Sequence, residues 1–422
     1  MKLTSADLVI TAVNITSLLK EAHKKAAQAS QQAKAPNVNV FNPSLVHEEG
    51  GGYIAAGRVL LSSRGSVVTV LTRIDAELTR LRGKQVVIST LLPGDSNACD
   101  ANALPSPPGG CTGTEDMRLR LSGGRLWVTG NEMVEGERKV VMAELHPASF
   151  EVIRSGVLCE DFQGDSEKNW GVFRTEGKWN ILYQLSPLET FAIAGKNPLE
   201  RKSERKRQEA TILDRVVAAF KDVTGYVVKI QNRTSPVEVR HGLFLCMGGL
   251  VMDWQASDPQ VNGMLVPGIK GGASQYDADD QKHWSEEYHK LHLCFFFVFK
   301  MAAGGEVRIE AITNFFQLPT RESRDELHVF PTTLTLVSTS KGGETNSKQE
   351  VVVSYGVGND RAYVAKIPYP LIELMLQDSE HAQLFQGLNV NPDEPIHVAR
   401  VARRVLKLDD RPKEYLLRDA LA

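Results

Sequence analysis

The chain has little of what marks a protein for a specialised environment. Its 422 residues hold five cysteines (Cys99, Cys111, Cys159, Cys246, Cys294), an odd set with no CxxC spacing. Neither a disulfide framework nor a thiolate metal knuckle is indicated, so a reducing compartment, the cytoplasm, is expected. An excess of one charge is missing as well, since 49 Lys and Arg stand against 51 Asp and Glu. With no basic field to hold phosphodiester backbones or anionic lipid, nucleic acid is not an expected partner. No apolar run reaches the ~18 residues that span a bilayer. The stretch from Leu8 to Leu19 is broken by Thr11, Asn14, Thr16 and Ser17 and has Lys2 alone before it, which is weak as a secretory leader. The motifs with the sharpest mechanistic meaning are absent too: no P-loop, no GxGxxG after a strand, no HExxH, GxSxG or EF-hand loop. A chain that is 42% hydrophobic and 24% charged still folds, which excludes a disordered or collagen-like polymer.

What is present is strand-and-turn grammar. Residues 5–34 place Leu8, Val9, Ala12, Ile15, Leu18 and Leu19 at three- and four-residue spacing, which predicts an amphipathic helix packed on the main body. From about residue 40 to 370, short β-branched or aromatic runs alternate with Gly, Pro, Asn and Asp, as in Tyr53 to Leu60, Leu293 to Lys300 and Val351 to Tyr355. A turn, a charged or polar motif, a Gly-turn and an apolar strand recur at residues 42–60, 113–130, 165–187, 268–300 and 348–366. Repeated small antiparallel sheets remove their exposed edges by closing into a ring, with functional loops at one end of its channel. The expected fold is all-β, a five-bladed β-propeller over residues 40–370. A helical extension over residues 1–39 and helices packed on the ring over 371–422 complete it. Residues 93–114 read as a long loop bordering the channel mouth, and the charged run 195–215 as a solvated helix or mobile insertion.

Chemistry then has to come from polar residues at strand ends, where a propeller aims them at one pocket. Asn42-Pro43-Ser44 followed by Arg58 offers amide and hydroxyl groups suited to sugar hydroxyls, or simply an Asx turn. In Glu115-Asp116-Met117-Arg118, adjacent acids beside an arginine allow one carboxyl to be ion-paired while its neighbour enters a cleft. Lys168-Asn169-Trp170 supplies cationic and neutral donors next to an aromatic wall. Lys270-Gly271-Gly272 frees backbone N–H groups for an anion or makes a plain turn. Tyr355-Gly356 to Asp360 ends a β-rich run with an acid that grips hydroxyls or closes a hairpin.

In this order the five motifs resemble one group, the five-bladed propellers of the β-mannoside phosphorylases and β-1,2-mannosyltransferases of the mannogen type, over residues 40–370. That group carries Asn-Pro, Glu-Asp-Pro-Arg, Lys-Asn, Gly-Gly and Tyr-Gly-x-x-Asp motifs. The resemblance implies that Asp116 is the general acid, that Asn42, Ser44, Arg58, Asn169 and Asp360 hold the sugar, and that Arg118, Lys168 and Gly272 face phosphate. The implied reaction is inverting attack of phosphate on a terminal β-mannoside. The ligands are β-1,2-mannooligosaccharides and mannose, with phosphate, mannose 1-phosphate or GDP-mannose. No cofactor and no metal are expected, because an anionic nucleophile needs no protein base and only one acid.

The chain departs from the group's pattern at three places. Met117 replaces a proline, Tyr183 leads to Ser186-Pro187-Leu188 where relatives often carry His or Arg, and Phe297-Val298-Phe299-Lys300 lacks a common histidine. Either Lys300 and Arg240 substitute for the missing phosphate groups or phosphorolysis is lost. Two further readings stay open: a catalytically silent carbohydrate-binding propeller, and a hydrolase using Glu115, Asp161 or Asp165 as base.

Overall fold

The structure is a computed structural model. It describes residues 10–29, 38–61, 66–92, 113–134, 137–159, 169–193, 199, 203–208, 211–224, 228–255, 288–301, 306–313, 316, 318, 329–339, 348–358 and 360–377. Among the described residues, twenty-one strands, β1 to β21, form five antiparallel sheets arranged as a five-bladed β-propeller. Blade one is β2 (Val38–His47), β3 (Tyr53–Leu61), β4 (Ser66–Ile74) and β5 (Leu81–Ile88). Blade two is β6 (Glu115–Ser122), β7 (Arg125–Val134), β8 (Glu137–Leu145) and β9 (Val152–Val157). Blade three is β10 (Gly171–Thr175), β11 (Lys178–Leu185), β12 (Leu188–Ile193) and β13 (Ser203–Gln208).

Blade four runs through β14 (Val228–Asn232), β16 (Leu243–Gln255), β17 (Tyr288–Met301) and β18 (Val307–Ile312), with β15 (Val237–Arg240) also on β16. Blade five is β19 (Val329–Thr339), β20 (Lys348–Val357) and β21 (Arg361–Pro368), completed by β1 (Thr11–Asn14) from the other end of the chain.

That last pairing closes the ring. Thr11 lies opposite Lys366 and Asn14 opposite Tyr363, so backbone hydrogen bonds join the two ends of the propeller. The stretch expected to be helical over 5–34 is therefore divided: strand at Thr11–Asn14, then helix α1 at Thr16–Ala29. Thr16 N–H donates to Asn14 Oδ1 at 2.9 Å, which caps a free donor of the helix start. The apolar spacing of the stretch fits either element, and the unpaired edge of β21 decides for strand at its start.

Two other expectations change. The charged run 195–215 contains strand β13 and the start of helix α2 (Ile212–Thr224), because Arg205 and Arg207 pair with Glu189 of β12, which is buried. The fourth unit begins at β14, about forty residues before the expected 268, and the Lys270–Gly272 motif lies outside the described residues. So does most of the 93–114 loop. Of the C-terminal helices, α3 covers Tyr369–Gln377, and residues 378–422 lie outside the described set.

Each blade is covered on both faces by its neighbours, which explains apolar runs that do not alternate. In β17, Leu293, Phe295, Phe297 and Phe299 face a cluster shared with Phe173 of blade three and Leu213 and Val216 of α2. Cys294, Phe296 and Val298 face Val353 and Tyr355 of blade five. Helix α1 lies on blade one, burying Leu19, Ala22, His23, Ala26 and Ala27.

Burial holds the His23 pKa below its ordinary 6.5. The folded state then binds a proton less readily than the unfolded chain, so the stabilisation is complete above about 6.5 and is lost as pH falls through it. Urea unfolding between pH 8 and 5 is expected to show this acid loss, and His23→Gln to remove its share.

Candidate active site

The first strands of the blades line the axis: β2 lies against β6 and β19, and β19 lies against β6. These strands carry an irregularity at the same place. The ladder shifts between Phe41 and Ser44, between Glu115 and Arg118, and between Pro331 and Thr333. Asn42 and Asp116 sit at these shifts with φ of 46° and 49°, and Asn169, just before β10, has φ 68°. Asn and Asp are the non-glycine residues most at ease in this left-handed region, and a bulge re-aims a side chain out of the ladder. The motif residues thus leave the ladder at a common level of the channel.

Asn42 Nδ2 donates to Asp116 Oδ1 at 2.7 Å, joining blade one to blade two. Arg58, on β3, reaches the same oxygen with Nη1 at 3.3 Å and Glu115 with Nη2 at 2.9 Å. Arg138 pairs with the other oxygen of Glu115. Glu115 is consequently held by two guanidiniums, whereas both contacts to Asp116 fall on Oδ1. Its Oδ2 has no hydrogen-bond partner among the described residues, and the side chain keeps 13% exposure. One fixed carboxylate oxygen and one presented oxygen allow Asp116 to exchange a proton with a group at the axis.

The expected division between the two acids is present, but Arg58 and Arg138 provide the pairing rather than Arg118. Arg118 turns to blade three, donating to Trp170 O at 3.0 Å and Asn169 Oδ1 at 3.1 Å. Asn169 O in turn accepts from Asn232 Nδ2 of blade four at 3.1 Å. Blade five closes the circle: Thr332 Oγ1 donates to Pro43 O, and Leu45 N–H donates to Thr333 Oγ1 at 2.8 Å.

The remaining expected residues are placed as follows. Ser44 is fully buried and its Oγ accepts from Leu119 N–H at 2.7 Å, a stitch between blades. Ser44→Ala leaves that N–H unsatisfied and is expected to cost about 1–3 kcal/mol, read as a lower urea midpoint. Asp360 stands at the half-exposed β20–β21 turn, 3.7 Å from Arg361 Nε, without a polar contact to Asn42, Arg58 or Asp116. Lys168 and Gly272, and the alternative bases Asp161 and Asp165, lie outside the described residues. Lys300 and Arg240 are exposed and pair with Glu310 and Glu373, so neither faces the axis as a substitute phosphate group.

Arg233 belongs to no motif of the sequence, and His292, with His283 and His289, reads there as a loop and strand start rather than a metal cluster. Arg233 follows β14 at the channel, is 2% exposed, stacks on Phe330 with its guanidinium carbon 4.4 Å from the ring centroid, and places Nη2 3.1 Å from His292 Nδ1. The only signal nearby is the sequon Asn232-Arg233-Thr234, whose Asn232 is itself 2% exposed. Burial lowers both Arg118 and Arg233 to about 10, against the pull of Asp116, which favours their charged forms. Both remain protonated at neutral pH. The Cys246 thiol is pushed up to about 12 by burial, and its one proton has Thr234 O and Asn232 Oδ1 within reach as acceptors, which makes it an inert packing group. Among the described residues, no group of three or more His, Cys, Asp and Glu is placed to hold a metal ion.

No family model and no curated protein sequence matches the chain. Solved structures do resemble it. They include a β-1,2-mannobiose phosphorylase from Listeria innocua, 10% identical with TM-score 0.45, covering 82% of this chain and 96% of that one. A glycosyl hydrolase from Bacteroides ovatus is 12% identical with TM-score 0.44, covering 78% and 84%. A hypothetical protein from Leishmania major is 13% identical with TM-score 0.39, covering 82% and 94%.

Proposed function

We propose that the protein transfers mannosyl groups, acting as a β-1,2-mannosyltransferase, an inverting β-1,2-mannoside phosphorylase, or both, on β-1,2-mannan oligosaccharides. The observation that carries this reading is Asp116, fixed by Asn42 and Arg58 through Oδ1, with Oδ2 unpartnered among the described residues. Phosphate oxygen attacks C1 of the terminal mannose from the face opposite the leaving group. The C1–O bond breaks, and the Asp116 carboxyl gives its proton to the departing oxygen. The products are α-mannose 1-phosphate and a chain one sugar shorter, and the reverse direction extends the chain from mannose 1-phosphate. GDP-mannose is the other donor with the same sugar and a phosphate leaving group.

Phosphate arrives anionic and needs no base, so one free carboxyl is sufficient. Hydrolysis needs a second carboxylate to activate water. Glu115 is tied to Arg58 and Arg138, which favours transfer over hydrolysis.

Incubation with β-1,2-mannobiose and phosphate is expected to release mannose 1-phosphate, and incubation with GDP-mannose and mannose to release mannobiose. Absence of both products removes the enzymatic reading. A sugar-binding propeller without turnover is the second reading, favoured by the surface placement of Lys300 and Arg240; calorimetric binding of mannobiose without product identifies it.

A further inference from the structure

Thr114, the residue before the Glu115-Asp116 pair, is fully buried and bonded through every polar atom it has. Its N–H donates to Ser89 O at 2.9 Å, its carbonyl accepts from Thr69 Oγ1 at 3.1 Å, and its hydroxyl donates to the Glu132 side chain. Glu132 stands on β7 and shares a face with Gly130, because side chains two apart on a strand point the same way. Gly130 makes the room, since a Cβ there would lie 2.4 Å from Thr114 Cγ2. Thr114 is thereby set between the outer strands of blade one and β7 of blade two, with its hydroxyl on one acid.

The same acid holds the chain that leaves blade one. Glu132 Oε2 accepts from Thr90 Oγ1 at 2.8 Å, and Oε1 accepts from Leu91 N–H as well as from Thr114. One side chain therefore ties the exit of β5 to the entrance of β6, two segments far apart in sequence. Glu132 is 5% exposed and forms no ion pair among the described residues. A buried acid is costly unless donors satisfy it, and here a backbone N–H and two hydroxyls do so. Two residues beyond Thr114, Asp116 holds its φ of 49° at the ladder shift between Glu115 and Arg118. Such a conformation persists where its surroundings over-determine it. On the entry side of Asp116 those surroundings are the bonds of Thr114.

We propose that Glu132 is a positioning residue for Asp116. Through the Thr114 hydroxyl it fixes where β6 enters the blade, and so where the Asp116 carboxyl stands against Asn42. It acts through the backbone from Thr114 to Asp116 and not on the reacting atoms. The inference rests on Asp116 as proton donor in mannosyl transfer, and it adds a residue that this reading leaves without a role.

The test compares Glu132→Leu with the unaltered full chain on β-1,2-mannobiose with phosphate and on dinitrophenyl β-mannoside with phosphate, alongside crystal structures of both proteins. The kcat on mannobiose is expected to fall about 10- to 100-fold with KM little changed, the scale of a misplaced reacting group. The aryl mannoside, whose leaving group departs without a proton, is expected to lose little. Added to Asp116→Asn, Glu132→Leu is expected to bring no further loss on mannobiose, because the proton it places is already gone. Glu132→Gln keeps an oxygen that accepts from Leu91 N–H and Thr114 and is expected to restore most of the rate. In the crystal of Glu132→Leu, Asp116 Oδ1 is expected to part from Asn42 Nδ2. An unchanged kcat, equal loss on both substrates, a loss that multiplies with that of Asp116→Asn, or an intact Asn42–Asp116 contact overturns the assignment and marks a group that only stabilises the blade. If the unaltered protein turns over neither substrate, the transfer reading fails by itself, and the Asn42–Asp116 contact in the two crystals still decides the role of Glu132. Where Glu132→Leu does not fold, Thr114→Val removes the hydroxyl link alone, and the same substrate-dependent loss is expected. An undiminished kcat in that variant overturns the assignment equally.

Discussion

Asp116→Asn is expected to lower mannose 1-phosphate release from β-1,2-mannobiose by about 100- to 10,000-fold, the usual contribution of a positioned general acid. The amide has the same shape, and its carbonyl oxygen still accepts from Asn42 Nδ2, so the bond across blades one and two is retained. The urea midpoint should move little. The distinguishing measurement varies the leaving group. A sugar leaving group needs its oxygen protonated as the bond breaks, whereas a dinitrophenolate departs unaided. The variant is therefore expected to lose most activity on mannobiose and little on an activated aryl β-mannoside. Equal loss on both substrates assigns Asp116 to binding rather than to proton delivery.

The second large effect comes from a residue with no side chain. Gly356 of β20 stands against Asn42, and a Cβ on it would lie 2.2 Å from Asn42 Oδ1 and 3.0 Å from Asn42 N. Backbone and side chain of Asn42 must both move to admit a methyl group. Asn42 is the residue that fixes Asp116 Oδ1, and it holds a left-handed φ that limits how it can adjust. Displacement on the scale of 1 Å in a positioning group costs about 100-fold in rate. Gly356→Ala is expected to show that loss mainly in kcat, with the β-rich circular dichroism spectrum preserved. Activity near that of the unaltered protein removes Asn42 from the positioning of Asp116. The Tyr355-Gly356 motif then serves two purposes: Tyr355 fills the core between blades four and five, and Gly356 makes space for the amide.

Much of this arrangement was legible in the chain because local chemistry and global placement agree. The first three units carry their polar motif at the start of the blade, where Asn42, Asp116 and Asn169 adopt the left-handed conformation that their short polar side chains tolerate. The apolar runs of β16 and β17 betray strands buried on both faces. Where local pattern and tertiary role diverge, the contacts are not legible in the sequence. Ser44 has the hydroxyl of a sugar ligand and spends it on the Leu119 N–H. Arg118 sits two residues from Asp116 and points to the next blade. Arg233 has no motif of its own, and its neighbourhood is assembled from Gly249, His292 and Phe330, which are far apart in the chain.

The amino-acid order alone determined that the protein is a ring of five small sheets, with polar motifs, Asn42 and Asp116 among them, at strand ends. Periodicity, turn residues and bulge-tolerant side chains are local properties, written within a few residues of where they act. Only the tertiary structure decided that the first strand belongs to the last blade, which arginine neutralises which acid, and that one oxygen of Asp116 has no partner among the described residues. Those outcomes depend on distances between blades, and distance across a closed ring is set by the packing of all five at once.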